Sequence, residues 1–391
     1  MIFSCIGGGH MQYSAALHTP KKKLYDRIEH LLSLAGIVIN GHRPWDIHVY
    51  SDKFYYSVLS SGSLGLGEAY MDGWWDVLQL DEFICRLLKK EVDTRVNSLQ
   101  DLVNYIRAML INLQSPERSY EVGWKHYDIG NDLYELMLDK RMIYSCAFWE
   151  NASTLDEAQE AKLDMICRKL ELKRGMRLLD IGCGWGGMAQ FAAENYGVEV
   201  LGVTISKEQV TLARKRCLGL PIEIRLQDYR SIADTFDRVL SVGMFEHVGY
   251  KNYRTFMRKV RSLLHEEGLF LLHTIGSNCS QKTMDCWINK YIFPNAMLPS
   301  AKQIAESIEG TFILEDWHNF GADYDTTLMH WYDNFSSSWN SLKKNYDERF
   351  FRMWKYYLLS CAGSFRARSN QLWQIVLSPK GIPGGYRARY K

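Results

Sequence analysis

The densest chemical signal in the chain is LLDIGCGWGG at positions 178–187. An apolar run ends in an acid, Asp180, and then in a loop whose residues Gly182, Cys183, Gly184, Trp185 and Gly186 lead into the helical pattern MAQFAAENY. Glycines at a strand-to-helix turn let a ligand approach the backbone, because no Cβ intervenes. The GxGxxG spacing alone also fits a dinucleotide, but that site needs an acid about 20 residues further on for the ribose hydroxyls. The second strand ends instead in GVTISKEQ, with no acid at its tip, and Asp180 precedes the glycines. That arrangement suits a cationic, phosphate-free cofactor whose methionyl ammonium needs a counter-charge. The chemistry it points to is methyl transfer from S-adenosylmethionine.

Further along, Thr204 and Gln209 can hydrogen-bond a ribose where the acid is missing, and Asp228, in RLQDYR, can read an adenine amine. Each has a plainer alternative: Ser206 reads as a helix N-cap and Asp228 as a turn residue. Tyr144, Ser145 and Tyr229 complete the expected cofactor set.

These residues need a scaffold. Strand-like runs at 177–180, 198–203, 222–226, 237–242 and 269–273 alternate with helical segments such as 206–217 and 252–265, which implies a parallel sheet with crossover helices. Two late strands, near 313–317 and 372–377, flank long helical patterns beginning at Tyr324 and Asp347. Before this α/β region the pattern is mainly helical: an amphipathic run at 21–35, a short strand at Ile47 and Val49, the glycine-punctuated SLGLGEAYMDGWWDV, and helices at 80–88 and 102–113. Residues 114–125 read as a linker. The expected division is 1–118 and 119–391, within about five residues.

At 391 residues two domains are the natural expectation. The net charge of +2 is too weak to argue for nucleic acid. No stretch approaches the roughly 20 apolar residues of a membrane span, so any membrane contact is expected to be peripheral. Nine cysteines without a CxxC pair suggest neither a disulfide framework nor a zinc ribbon. With no signal peptide apparent at the start, a cytoplasmic location is expected.

HYDIGNDLY (126–134), YSCAFW (144–149), LLDIGCGWGG, GVTISKEQ, SVGMFEHVG (241–249), HTIG (273–276), WINKYIFPN (287–295) and DWHNFGADYDTTL (316–328) together resemble the bacterial cyclopropane-fatty-acyl-phospholipid synthases. The likeness extends to SLGLGEAYMDGWW in the first domain. The resemblance implies a Rossmann-like class I methyltransferase fold with a seven-stranded sheet and a smaller, mainly helical N-terminal domain. It implies S-adenosylmethionine as cofactor and a bicarbonate ion as base, held by Cys146, Glu246, His273 and Tyr324 and by backbone at Ile275. The family pattern also marks Cys361. It implies a homodimer at the inner membrane surface, acting on unsaturated acyl chains of phospholipids.

The residues themselves allow blander roles: a capping pair for Glu246 and His247, a core histidine for His273, a small buried residue for Cys146. Their position at the carboxyl ends of strands, where open α/β sheets bind ligands, favours function. A zinc set of Cys146, Glu246 and His273 finds no support in their scattered spacing. Attack by an alkene would leave a carbocation, which aromatic faces can stabilise. Tyr144, Phe148, Trp149, Phe245, Tyr291, Phe293 and Tyr324 are the expected cage. Lys21 to Lys23, the FRAR of 365–368 and the RARYK of 387–391 are candidate contacts to anionic headgroups. A small-molecule N-methyltransferase and a lipid-binding regulator with a degenerate site are the competing functions.

Overall fold

The structure is a computed structural model that describes residues 13–92 and 130–388, with side chains from Lys22 onward. The linker at 114–125, the domain boundary, the helix at 102–113, Lys21's side chain and residues 389–391 lie outside the described residues.

The α/β part carries seven strands: β3 (Arg177–Ile181), β4 (Glu199–Thr204), β5 (Ile222–Leu226), β6 (Phe236–Val242), β7 (Leu264–Ser277), β8 (Ile313–Asn319) and β9 (Asn370–Ser378). Their order is β5-β4-β3-β6-β7-β9-β8. The first five pair in parallel, whereas β9 lies antiparallel between β7 and β8, so the sheet is mixed. The strand order reverses direction at β3, and ligands bind in the crevice at such a switch point. LLDIG therefore sits where a cofactor must.

The first part contains the helices Tyr13–Leu34, Lys53–Met71 and Leu80–Lys89, with the two-residue strands β1 (His48–Val49) and β2 (Trp75–Asp76). The glycine-punctuated segment is helix up to Met71, with a break at Gly62 (φ 56°, ψ −130°). Its glycines serve close packing: a Cβ on Gly65 would strike the Ser57 carbonyl, and one on Gly67 would strike the Trp287 indole.

One hydrophobic core runs through both parts. Phe54, Tyr70, Trp75 and Phe83 share a cluster with Trp287, Trp354, Tyr356 and Leu358. Helix Glu348–Arg366 is the shared element: a Cβ on its Gly363 would meet the Asp81 carbonyl of helix Leu80–Lys89. Arg366 donates to Asp81 at 2.6 Å and to Asp325 at 2.9 Å, so its guanidinium ties the two parts together. Phe365 of the same FRAR segment is buried, and Arg368 bonds Gln371 at 2.7 Å.

Candidate active site

Two cavities meet at the carboxyl ends of β3, β6 and β7. The smaller, about 200 Å³, is lined by Asp180, Gly182, Cys183, Gly184, Trp185, Thr204, Gln209, Asp228 and Tyr229. Asp180 is held by strand pairing on both sides, with Gly202 and Leu240 opposite it. Its Oδ2 is buried without a hydrogen-bond partner, and burial pushes the carboxyl up to about 7. An unpaired buried carboxylate in a concave site is what a cationic ligand needs. The donor set of this cavity therefore fits S-adenosylmethionine, a cationic ligand.

The neighbouring residues behave as follows. The Thr204 hydroxyl donates to Gln209 Oε1 at 2.7 Å, so the pair is preset. Ser206 Oγ accepts from the Gln209 amide at 3.3 Å, which makes it the N-cap that the plainer alternative required. Asp228 accepts from the Arg230 backbone and guanidinium at 2.9 and 2.6 Å, so it both shapes a turn and lines the cavity. Gly186 is the one loop residue outside the lining: it caps the following helix at φ 82°, and a Cβ there would meet Cys217 Sγ.

The larger cavity, about 560 Å³, is mostly apolar. Its wall combines Glu246, His273, Ile275, Tyr324 and Cys361 with Leu31, Phe54, Val58, Leu66 and Leu87 from the three N-terminal helices. Tyr144, Ser145, Gly243 and His247 line both cavities and form the partition between them.

Glu246 sits in the 3₁₀ turn Phe245–His247 that follows β6. Its Oε1 accepts from the Ile275 amide at 2.7 Å, while Oε2 is buried without a partner. Burial pushes this carboxyl up to about 7, against the pull of the Ile275 bond. His273 lies in β7 opposite Gln374 of β9. Gln374 Nε2 is 3.2 Å from its Nδ1, and its Nε2 has no partner. With Nδ1 accepting from Gln374, the ring proton sits on Nε2. Burial keeps the ring neutral. Oε2 and Nε2 are thus orphaned polar atoms in the wall of an apolar cavity, a cost that a small polar ligand would remove.

The remaining members of the expected bicarbonate set are placed differently. Tyr324 lines the cavity with its ring stacked on Phe365 at 4.5 Å. The Ile275 amide is already used by Glu246. Cys146 lies behind the wall, its thiol 3.2 Å from the Ala147 carbonyl and 3.8 Å from Thr327 Oγ1. Cys361 does line the cavity, but burial pushes its thiol up to about 12, so it is no nucleophile near neutrality.

Of the seven rings expected in the cage, Tyr144, Phe293 and Tyr324 line the cavity, joined by Trp287, Tyr356 and Tyr357. The Tyr144 and Tyr357 hydroxyls are 2.8 Å apart. The other four are used elsewhere. Phe245 stacks on Tyr253 at 4.3 Å, Trp149 on His330 at 4.6 Å, Phe148 packs on Phe320, and Tyr291 donates to Glu68 at 2.7 Å.

Sequence reasoning missed Lys162 of the helix Leu155–Lys169, which lines the cofactor cavity. The signal was available: Leu155, Ala158, Met165 and Ile166 mark a buried helical stripe, and Lys162 falls within it.

The family profile for mycolic acid cyclopropane synthetase matches residues 114–375. The chain belongs to that family. It is 55% identical over 369 residues to the cyclopropane-fatty-acyl-phospholipid synthase of Escherichia coli strain K12, covering 94% of this chain and 96% of that one. The cyclopropane synthase MmaA2 of Mycobacterium tuberculosis superposes with a TM-score of 0.63 at 31% identity, over 66% of this chain and 98% of its own. Mycolic acid cyclopropane synthase CmaA1, complexed with SAH and CTAB, gives 0.62 at 30%, again over 66% and 98%. The fold is that of the class I S-adenosylmethionine methyltransferases.

Proposed function

We propose that this protein transfers a methylene group from S-adenosylmethionine to the cis double bond of an unsaturated phospholipid acyl chain, forming a cyclopropane. The observation that carries it is the partition of Tyr144, Ser145, Gly243 and His247 between a charged cavity and a larger, apolar one. The relationship to the E. coli synthase along nearly the whole chain supports it.

S-adenosylmethionine, when bound, supplies an electrophilic sulfonium methyl. Asp180 and the Thr204–Gln209 pair hold and orient it in the smaller cavity. The apolar wall aligns the alkene and excludes water, so positioning rather than an activated nucleophile lowers the barrier. The faces of Tyr144, Phe293 and Tyr357 stabilise the carbocation by roughly 0.5–2 kcal/mol per ring. Ring closure then needs a proton acceptor, and no strong base, because a carbocation is a strong acid. Glu246 Oε2 and His273 Nε2, with Tyr324, would hold a bicarbonate ion, which would supply that base. A carboxyl raised to about 7 retains enough of its proton near neutrality to donate to an anion rather than repel it.

In this proposal the enzyme works as a homodimer on the cytoplasmic face of the inner membrane. Among the described residues no helix is long and apolar enough to cross a bilayer, and Lys22 and Lys23 are exposed on the first helix.

The test is incubation with unsaturated phospholipid vesicles and labelled S-adenosylmethionine, followed by mass spectrometry of the acyl chains. The expected result is a gain of one CH2 with loss of the double bond, slowed in bicarbonate-depleted buffer and restored by added bicarbonate. Unlabelled lipid despite cofactor binding would overturn the lipid reading; indifference to bicarbonate would overturn the choice of base.

A further inference from the structure

The cofactor cavity contains a buried ion that the mechanism above does not use. Lys162 is fully buried, lines that cavity, and donates from Nζ to Ser145 Oγ at 2.8 Å. Asp139 and Asp180 act on it only at longer range, and among the described residues no carboxylate forms an ion pair with it. An ammonium in that position is strongly unfavourable without a counter-charge.

Positioning Ser145 does not explain the charge. Gln159, one turn earlier on the same helix, already donates to the Ser145 carbonyl at 2.8 Å. A neutral donor thus holds the Ser145 backbone, and an apolar side chain of similar length would fill the Lys162 site at lower cost. The same cavity holds the opposite defect, Asp180 Oδ2, buried and without a partner. An unpaired cation and an unpaired carboxylate, on separate elements of one cavity, are complementary to a zwitterion. The methionyl end of S-adenosylmethionine is one.

Resting on the cofactor assigned above, we propose that Lys162 is the counter-ion of the cofactor's α-carboxylate, with the Ser145 hydroxyl fixing its direction, while Asp180 takes the α-ammonium. Lys162 then selects cofactors that retain the amino-acid carboxylate. It also places an anion beside Ser145, in the partition between the two cavities, so its occupancy sets the position of the transferable methyl relative to the acyl chain.

The test is calorimetric binding of S-adenosylhomocysteine and of its decarboxylated analogue to the wild-type protein, Lys162→Met and Lys162→Arg. A charge-assisted hydrogen bond in a buried site corresponds to about ten- to hundredfold in affinity. Wild type is expected to prefer the intact ligand by that factor. Lys162→Met loses the preference by weakening the intact ligand alone, and Lys162→Arg keeps part of it. Equal weakening of both ligands by Lys162→Met would reduce Lys162 to a structural residue and overturn the proposal. Should Lys162→Met fail to fold, the wild-type comparison decides: equal affinity for the two ligands overturns the proposal, and preference for the intact one upholds it. Failure of wild type to bind S-adenosylhomocysteine at all would overturn the cofactor assignment itself.

Discussion

The two cavities are built by opposite rules. The cofactor cavity is made by loops at the ends of four adjacent strands and by one helix face, and its key features are charges: Asp180 and Lys162, both buried. The larger cavity draws its wall from regions far apart in the chain, from Ile28 to Leu372, and its features are apolar area and a few orphaned polar atoms, Glu246 Oε2 and His273 Nε2 together with Trp287 Nε1 and Ser360 Oγ. Polar recognition is local and strict, whereas apolar recognition is distributed and tolerant of substitution. Single substitutions should therefore separate the two.

The largest effect is expected from Glu246→Gln. Removing one member of a proton-handling site typically costs about 10² or more in turnover. Glu246 lines only the larger cavity, so S-adenosylhomocysteine affinity should be unchanged. Vesicle turnover measured beside calorimetric binding checks both numbers. A parallel loss of binding would show that the partition does not insulate the two sites.

Next comes a substitution that fills the distal wall. Val58 lies on an N-terminal helix and lines the larger cavity. Val58→Trp should shorten the space for an acyl chain. Each methylene kept out of an apolar site costs about 0.8 kcal/mol, so excluding two lowers kcat/KM for the longest chains about 15-fold. Competition among acyl lengths in mixed vesicles reads this directly. A uniform loss across all lengths would mean that the N-terminal helices support the site without measuring the chain.

This contrast also explains what the sequence revealed. LLDIGCGWGG, Thr204 and Gln209 were legible because a strand, a turn and a helix in immediate succession fix their geometry. A parallel sheet with crossover helices followed from alternation and its seven strands from the family resemblance, but the antiparallel placement of β9 followed from neither reading, since no local pattern records which neighbour a strand chooses. The larger cavity was legible only in part. Phe245 and Trp149 belong to motifs yet pack away from it, and Leu31, Val58 and Leu87 line it from segments whose amphipathic pattern reads as ordinary core. Lys162 was visible as a charge within a buried stripe, but its role depends on Ser145, 17 residues away.

A smaller effect should appear in the pH dependence of cofactor binding. Burial raises the Asp180 carboxyl to about 7, with Lys162 the charged group acting against that rise. An ammonium ligand binds the ionised form, so binding releases a proton and affinity falls as the pH drops. One such group gives about a fivefold loss between pH 7 and pH 6. Lys162, lowered by burial to about 8, acts in the opposite sense above that value. Calorimetry of S-adenosylhomocysteine in buffers of different ionisation enthalpy would detect the proton. A flat profile would show that Asp180 is already ionised before the ligand arrives, so that both charges of the cofactor cavity are preset and burial does not govern its binding.

The smallest effect concerns the surface contacts between the two parts. Lys290 Nζ lies 2.5 Å from Glu68 Oε1, but the lysine is 53% exposed and the glutamate 29%. An ion pair that open to solvent contributes at most about 1 kcal/mol. The Tyr291 hydroxyl also donates to Glu68, so the carboxylate keeps a partner when the lysine is removed. Lys290→Ala should therefore leave a single urea transition with a nearly unchanged midpoint. The continuous core joining Phe83 and Tyr70 to Trp354 and Tyr356 is the reason to expect a single transition, because neither part can lose its share without exposing the other's. Two transitions, or a loss above about 1 kcal/mol, would place the coupling in polar contacts at the surface rather than in that core, and the larger cavity would then be a seam between separable domains.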